Sequence, residues 1–181
     1  MLKIILNSLL IITFISLFDC TINDEYPTRP DKANSFSIYI VENDIYGKDQ
    51  VDLTELKMSD NPIITSSEMT YYYWPDHTIA YKDDVYQKLL KNKNLLHKGF
   101  VTVVGNERIY WGLFQANIDS YGSQNPVIML SPQFSRGEFV IGKSITIHRS
   151  YFDGEGLENT IDPRADIRIY NALKSEGILI K

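Results

Sequence analysis

Apolar and polar residues alternate along much of the chain after residue 35. The segment "SFSIYIVE" places Phe36, Ile38 and Ile40 on one side, which is the two-residue period of a β-strand. The same period recurs over residues 139–149, where we expect the isoleucines to point inward and the polar residues outward. The pattern therefore predicts a domain in which strands supply most of the core.

The clearest local element is a hairpin in "FVTVVGNERIYWGLF". The two-residue turn Gly105–Asn106 between β-rich runs is a strong hairpin signal. With this turn, Val104 is predicted to face Glu107, and Phe100 to face Trp111. Both faces of the hairpin carry apolar residues, so we expect a central position in the sheet with cover on both sides.

Two segments have the amphipathic period and the end signals of a helix. The first, "DDVYQKLLKNKNLLHKG", begins with acidic residues, has lysines towards its end and reaches Gly99. The second, "DPRADIRIYNALKSEG", has Asp162 as a cap, Pro163 at the first helical position and Gly177 past the end. The predicted buried stripe of this second helix is Ile167, Tyr170 and Leu173.

These elements do not alternate in a regular strand–helix–strand order. They favour a single α+β domain over residues 36–181, built on a mostly antiparallel sheet with a central hairpin and two main helices. A domain of this size buries about 68–70% of its chain surface, which is enough for a core held by packing. Cys20 is the only cysteine, so neither an intramolecular disulfide nor a cysteine zinc cluster is expected.

The start of the chain has the pattern of an export signal. A lysine at position 3 precedes an apolar stretch over residues 4–18, which is short for a membrane span of about 20 residues. Residues 1–19 are therefore predicted to be a signal peptide, with a buried helix over 4–18 as the alternative. Residues 20–35 are polar and charged, and we expect them to form a flexible tether.

The stretch "FISLFDC" at residues 14–20 resembles the end of a bacterial lipoprotein signal. In that family the mature chain begins at a lipid-bearing cysteine with a leucine three positions earlier, and Leu17 and Cys20 match this pattern. Asp19 departs from it, because a small residue normally precedes the cut. The resemblance implies lipid attachment at Cys20 and a membrane-anchored place in the cell envelope. A cleaved signal without lipid and an uncleaved anchor are the alternatives.

Three further stretches resemble segments of an uncharacterised family of bacterial exported proteins and lipoproteins. They are "YYYWPDHTI", "GNERIYWGLFQANIDSYGSQNPVIML" and "DPRADIRIYNAL", and together the resemblance spans most of residues 36–181. It implies an envelope location and brings no activity, cofactor or catalytic residue.

Charge and motifs exclude several common classes of function. The net charge is −5, and no basic patch is dense enough to indicate nucleic-acid binding. The sequence has no GxSxG motif, no phosphate-binding glycine loop and no metal-binding spacing among its histidines, so we expect neither a cofactor nor a metal. The acidic run "DGEGLENTID" does not match the EF-hand spacing, and a solvated loop is the favoured interpretation over a calcium site.

The aromatic residues at 71–74 indicate the best candidate for a binding surface. In an extended chain Tyr71 and Tyr73 face one way, while Tyr72 and Trp74 face the other. We select Tyr73, Trp74 and His77 as the candidate ligand surface, since tyrosine and tryptophan combine an apolar ring with a polar tip. The favoured interpretation is nevertheless that most of these rings are core residues and that one or two of them are exposed.

These features together predict a membrane-anchored envelope lipoprotein with a non-enzymatic binding domain. Its expected partners are the membrane, through the lipid, and an envelope protein, peptide or glycan. An envelope hydrolase with a site near His77 is the alternative, and it requires a carboxylate within hydrogen-bond reach of that histidine.

Overall fold

The computed structural model of the protein describes residues 34–92, 94–120, 122–133, 138–152 and 157–181. The predicted signal peptide, Cys20 and the predicted tether up to residue 33 lie outside the described residues, as do residues 153–156 of the acidic run. In the described part of the chain, neither helix has the length and apolar character needed to cross a bilayer.

The described elements are ten strands and two α-helices, together with short 3₁₀ turns. The helices are α1 (Asp83–Leu89) and α2 (Ile167–Ser175). The strands are β1 (Phe36–Val41), β2 (Ile64–Thr65), β3 (Met69–Tyr73), β4 (Thr78–Tyr81), β5 (Gly99–Val104), β6 (Glu107–Ala116), β7 (Val127–Gln133), β8 (Glu138–Val140), β9 (Ser144–His148) and β10 (Leu179–Ile180).

All strands belong to one sheet in the order β10-β3-β4-β9-β7-β6-β5-β1-β2, with β8 paired to β7 beside this path. Neighbouring strands are antiparallel except for the pairs β6–β7 and β3–β10. The predicted α+β class is confirmed, with a mostly antiparallel sheet, the β5–β6 hairpin inside it and two main helices.

The sheet is curled, so strands that are distant in its order meet across the interior. Phe36 on β1 and Tyr72 on β3 are six strand spacings apart in this order, which would separate them by about 29 Å in a flat sheet. Their ring centroids are 5.9 Å apart. Helix α2 lies in the curl, where Ile169 and Leu173 belong to the same buried cluster as these rings.

A second apolar cluster covers half of the outer side of the sheet. Here the covering segment, residues 42–58, packs Ile45 and Leu56 against the outward side chains of β5, β6 and β7. A bridge between Val41 and Met58 and a hydrogen bond from Glu42 N to Lys57 O, 2.8 Å long, hold its ends together. The expected cover on both sides of the hairpin is therefore present.

The hairpin register differs from the prediction beyond its first two pairs. Val104 faces Glu107 as predicted, but a β-bulge then shifts β6 by one residue, so that Phe100 faces Gly112 and Val101 faces Trp111. Ile109 and Tyr110 consequently both pack on the inner cluster. A bulge of this kind adds one residue to one strand, and the turn sequence alone does not reveal it.

Both helices differ from their predicted bounds. Helix α1 ends at Leu89, and Gly99 lies in β5 opposite Leu113 instead of closing the helix. Asp162 caps a separate 3₁₀ turn, Pro163–Ala165, and Asp166 caps α2. Because α2 begins later than expected, the predicted buried stripe is wrong at Ile167, its first residue. Ile167 is 65% exposed, and the buried residues are Ile169, Ala172 and Leu173.

Candidate functional site

The outer side of β3, β4, β9 and β10 forms an accessible surface that we call the open face. Tyr73 pairs with Ile180 on one side and with Thr78 on the other, and Thr78 pairs with Thr146. A second row runs through Tyr71, which pairs with Ala80. The open face comprises Tyr71, Tyr73, Thr78, Ala80, Ser144, Thr146 and Ile180.

The open face combines exposed aromatic rings with hydroxyl groups. Tyr71 and Tyr73 are each 37% exposed and lie two residues apart on the same side of β3. The hydroxyls of Thr78 and Thr146 are 2.7 Å apart and share a hydrogen bond. None of the side chains in this face carries a formal charge. The surface therefore suits a neutral partner that offers both apolar and hydroxyl groups.

Trp74 and His77 lie on the opposite side of the sheet from Tyr73. Trp74 is half-buried, and its ring packs edge-on against His77 and Tyr170, at 5.1 and 5.2 Å between ring centroids. His77 is only 5% exposed. Of the predicted ligand surface, Tyr73 alone is on the open face, where Tyr71 joins it.

His77 has the environment of a neutral, structural histidine. Its Nδ1 shares a hydrogen bond of 2.9 Å with the hydroxyl of Tyr72. Burial, and then the nearby Arg164 guanidinium, lower the pKa of His77 to about 4. Arg164 itself forms a bidentate pair with Asp162, from Nε to Oδ1 and from Nη2 to Oδ2, and donates to the carbonyl of Ile147. The hydrogen-bond partner of His77 is thus a tyrosine, whereas a hydrolytic site would need a carboxylate there.

A second histidine lies in what we call the His97 cluster, which consists of Tyr46, His97, Asp119 and Tyr151. Nε2 of His97 is 3.0 Å from Oδ1 of Asp119. The other carboxylate oxygen of Asp119 accepts the backbone N–H of Ala116 at 2.9 Å. The ring of Tyr46 packs on the imidazole with 4.1 Å between centroids, and the hydroxyl of Tyr151 donates to the Asp119 carbonyl.

The His97 cluster is assembled from loops at separate places in the chain. Tyr46 belongs to the covering segment, His97 precedes β5, Asp119 follows β6 and Tyr151 follows β9. The side chain of His97 is 41% exposed and that of Asp119 is 8% exposed. Burial and then the Asp119 charge raise the pKa of Tyr46. Sequence reasoning missed this site, because His97 and Asp119 are distant in the chain and belong to no motif.

Two histidines have a left-handed backbone, a conformation that usually favours glycine. His77 has φ 57° and His97 has φ 66°, and in the described part of the chain they are the non-glycine residues with positive φ. A hydrogen bond from Lys98 N to Leu95 O, 2.9 Å long, places His97 at the third position of a β-turn. Such a conformation costs about 1–3 kcal/mol, so the contacts of each imidazole must offset it.

A surface cavity of about 510 Å³ lies between α2 and the tip of the β5–β6 hairpin. Arg168 beside it bonds Glu107 at 2.8 Å and Asp166 at 2.7 Å, which ties the helix to the hairpin. Because these charged groups are already paired with one another, a charged ligand would have to break the pairs, and the cavity is a weaker candidate for a binding site than the open face. Its lining is Asn34, Val104, Asn106, Glu107, Arg168, Asn171, Ala172 and Ser175.

The carboxylates of the acidic run do not gather in the described residues. Asp162 is engaged by Arg164, and Asp153 and Glu155 lie outside the described part of the chain. Among the described side chains, no group of three or more histidine, cysteine, aspartate or glutamate residues is placed to hold a metal ion.

Comparisons of the chain with protein families, with curated proteins and with solved structures find no match. The candidate sites consequently rest on their geometry and chemistry.

Proposed function

We propose that this chain is a binding domain of the bacterial cell envelope, anchored to a membrane through lipidated Cys20, and that its open face binds a neutral glycan. The observation that carries the binding proposal is the accessible, uncharged surface on which Tyr71 and Tyr73 are exposed.

Sugar rings fit the chemistry of this surface. The C–H faces of a sugar pack against aromatic rings, and its hydroxyl groups exchange hydrogen bonds with tyrosine and threonine hydroxyls. Tyrosine also supplies a large contact area at a low cost in side-chain entropy. Because the open face has no formal charge, it offers no electrostatic attraction to an acidic or basic partner.

The anchor part of the proposal is supported by Leu17 and Cys20 at the end of the apolar stretch. A lipid at Cys20 would also account for a single cysteine in an exported chain, which otherwise carries a reactive thiol. Two or more acyl chains hold a protein firmly on a bilayer, since each buried methylene contributes about 0.8 kcal/mol.

Titration of the detergent-solubilised full-length protein with short neutral oligosaccharides of glucose, mannose and N-acetylglucosamine tests the binding site. We expect at least one series to bind, and Tyr73→Thr to weaken binding about tenfold, which corresponds to about 1.4 kcal/mol. Tyr71→Thr should have a similar effect. Salt up to about 1 M should leave the affinity unchanged, because no charged contact is screened.

Phe152→Thr is the matched control for loss of an exposed aromatic ring. Phe152 is 54% exposed and lies outside the open face, so this variant should bind as the unmodified protein does. If no oligosaccharide binds, or if Phe152→Thr weakens binding as much as Tyr73→Thr, the glycan proposal is wrong.

The intact mass of the N-terminal peptide, taken from native protein in membranes, tests the anchor separately. A peptide that starts at Cys20 with added acyl mass supports the anchor despite Asp19. A peptide that starts elsewhere with a free thiol contradicts the anchor and leaves the glycan site to be judged by the titration.

The hydrolase hypothesis centred on His77 has less support than the binding proposal. A general base must be reachable by substrate and hold a free lone pair. His77 is buried, and its Nδ1 is engaged by Tyr72.

A further inference from the structure

The His97 cluster has the arrangement of a general base with its orienting carboxylate. We propose that His97 acts as the general base in the hydrolysis of small, uncharged carboxylic esters, with Asp119 as its positioning residue. This activity goes beyond the proposed binding function, and it rests on a separate part of the molecule.

The contacts of Asp119 fix the tautomer of His97. Because the carboxylate accepts a hydrogen bond from Nε2, the neutral imidazole carries its proton on Nε2 and its lone pair on Nδ1. Asp119 cannot rotate away easily, since the Ala116 N–H holds its second oxygen and the side chain is 8% exposed. The same base-and-orienter arrangement activates water or hydroxyl groups in hydrolytic enzymes.

The position of the imidazole is restricted further by its neighbours. The Tyr46 ring packs on it at 4.1 Å, tilted by 31°, and the turn from Leu95 to Lys98 fixes its backbone. The ring is therefore held in place before a substrate arrives, which reduces the entropy lost on forming the reactive geometry.

The surroundings indicate a neutral substrate. The side chain of His97 is 41% exposed, so a small molecule can reach it from solvent. The Asp119 carboxylate beside it repels an anionic substrate, and the Tyr46 ring offers an apolar contact. A small uncharged ester meets both conditions.

The proposed step needs only water as co-reactant. Nδ1 of His97 takes a proton from water as the water oxygen forms a bond to the ester carbonyl carbon. The bond between this carbon and the alkoxy oxygen then breaks, and the imidazolium returns its proton to the leaving alcohol. The products are the carboxylic acid and the alcohol, and the imidazole is regenerated.

A purely structural role for His97 makes a different prediction. If the imidazole only stabilises the contact between the loops, its replacement changes the free energy of unfolding. The rate of ester hydrolysis by the unmodified protein is then no higher than the rate that an ordinary surface histidine gives. Asparagine tolerates the left-handed backbone, so His97→Asn preserves the turn while it removes the base.

Hydrolysis of p-nitrophenyl acetate by the purified full-length protein tests the proposal. We expect His97→Asn to lower kcat/KM, after subtraction of the buffer reaction, by about 100-fold, as for loss of a general base. Asp119→Asn should lower kcat about tenfold with little change in KM, because it disturbs the orientation of the base and not the binding of the ester.

His148→Asn is the matched control, since His148 lies on β9 outside the His97 cluster. It should retain the full rate. An unmodified protein that is no faster than His97→Asn, or no faster than buffer, overturns the proposal, and so does an equal loss in His148→Asn.

Chemical modification provides a second test if His97→Asn fails to fold. Diethyl pyrocarbonate acylates neutral imidazole, so the rate should fall in step with modification of His97 mapped by mass spectrometry, and hydroxylamine should restore it. A rate that persists after His97 is fully modified overturns the proposal.

Discussion

One half of the outer side of the sheet is covered and the other half is open. In the covered half the residues 42–58 pack over Val101, Val103, Trp111 and Leu113, all of them buried. In the open half Tyr71 and Tyr73 reach solvent beside a hydrogen-bonded pair of threonines.

The difference shows how strand composition decides which surface needs a cover. The large apolar side chains on the outer side of β5 and β6 would form a contiguous apolar patch if they were exposed to water. The covering segment packs on them and buries them. Tyrosine and threonine present polar tips to water and tolerate exposure. The open half is therefore stable without a cover and available to a ligand.

Removal of Trp111 should break the covered half most severely. Trp111→Ala deletes a large buried ring beneath the covering segment, and such changes cost about 3–5 kcal/mol of unfolding free energy. Urea unfolding measures the loss, with Tyr73→Ala as the corresponding change in the open half. Equal losses of unfolding free energy in the two variants would contradict the difference between the covered and the open half.

Acid should lower the free energy of unfolding through His77, which lies on the inner side of the sheet behind the open half. The folded state binds a proton on His77 more weakly than the unfolded chain does, because burial holds the pKa near 4 instead of 6.5. The free energy of unfolding contributed by this group is therefore present above pH 6.5 and lost as the pH falls through about 4. Its full loss amounts to about 3 kcal/mol.

Urea unfolding at a series of pH values, with His77→Asn beside the unmodified protein, isolates this contribution. Asparagine accepts the left-handed backbone and does not titrate. The gap in stability between the two proteins should narrow as the pH falls from 6.5 to 4. A constant gap would mean that His77 titrates alike in the folded and unfolded states.

Gly99→Ala should disturb the junction between β5 and the covering segment. A Cβ at this position would lie 2.2 Å from Cδ1 of Ile45 and 3.1 Å from Cβ of Val41. Overpacking of this kind costs about 1–3 kcal/mol. Ile45→Ala removes the closest obstacle, so the double variant should be less destabilised than the sum of the two single changes. Additive losses in urea unfolding would show that Ile45 is not the side chain that resists the substitution.

The smallest effect on stability is expected in the open half itself. Tyr71→Thr and Tyr73→Thr should each change the free energy of unfolding by about 0.5 kcal/mol or less, because partly exposed positions contribute little. The same variants should weaken glycan binding about tenfold. A large loss of stability would instead identify these tyrosines as structural residues.

Local structure was predictable where neighbouring residues decide it. Alternation in β1 and around Tyr71 to Trp74 identified the sides of those strands correctly, and Gly105–Asn106 identified the hairpin turn. The register beyond Val103 was not predictable, because the bulge depends on how Ile109 and Tyr110 pack against the interior.

The candidate site residues also include some that the sequence predicts and some that only the folded structure reveals. Tyr73 was identified from its position in the strand. Adjacent residues of a strand point to opposite faces of the sheet, so Tyr73 faces away from the side that Tyr72 faces, and no tertiary information is needed to predict this. His77 was selected for the ligand surface, yet its side chain is buried and shares a hydrogen bond with Tyr72 across the turn between β3 and β4. The pair of His97 and Asp119 was not found, since only the folded loops bring them together.

By itself the sequence determined the class of fold, the faces of the main strands and the turn of the hairpin, because periodicity and turn residues act over a few neighbouring positions. Only the tertiary structure decided the curl, the division of the outer side into a covered and an open half, and the His97 cluster. Each of these depends on contacts between residues far apart in the chain, whose pairing is selected by packing across the whole domain.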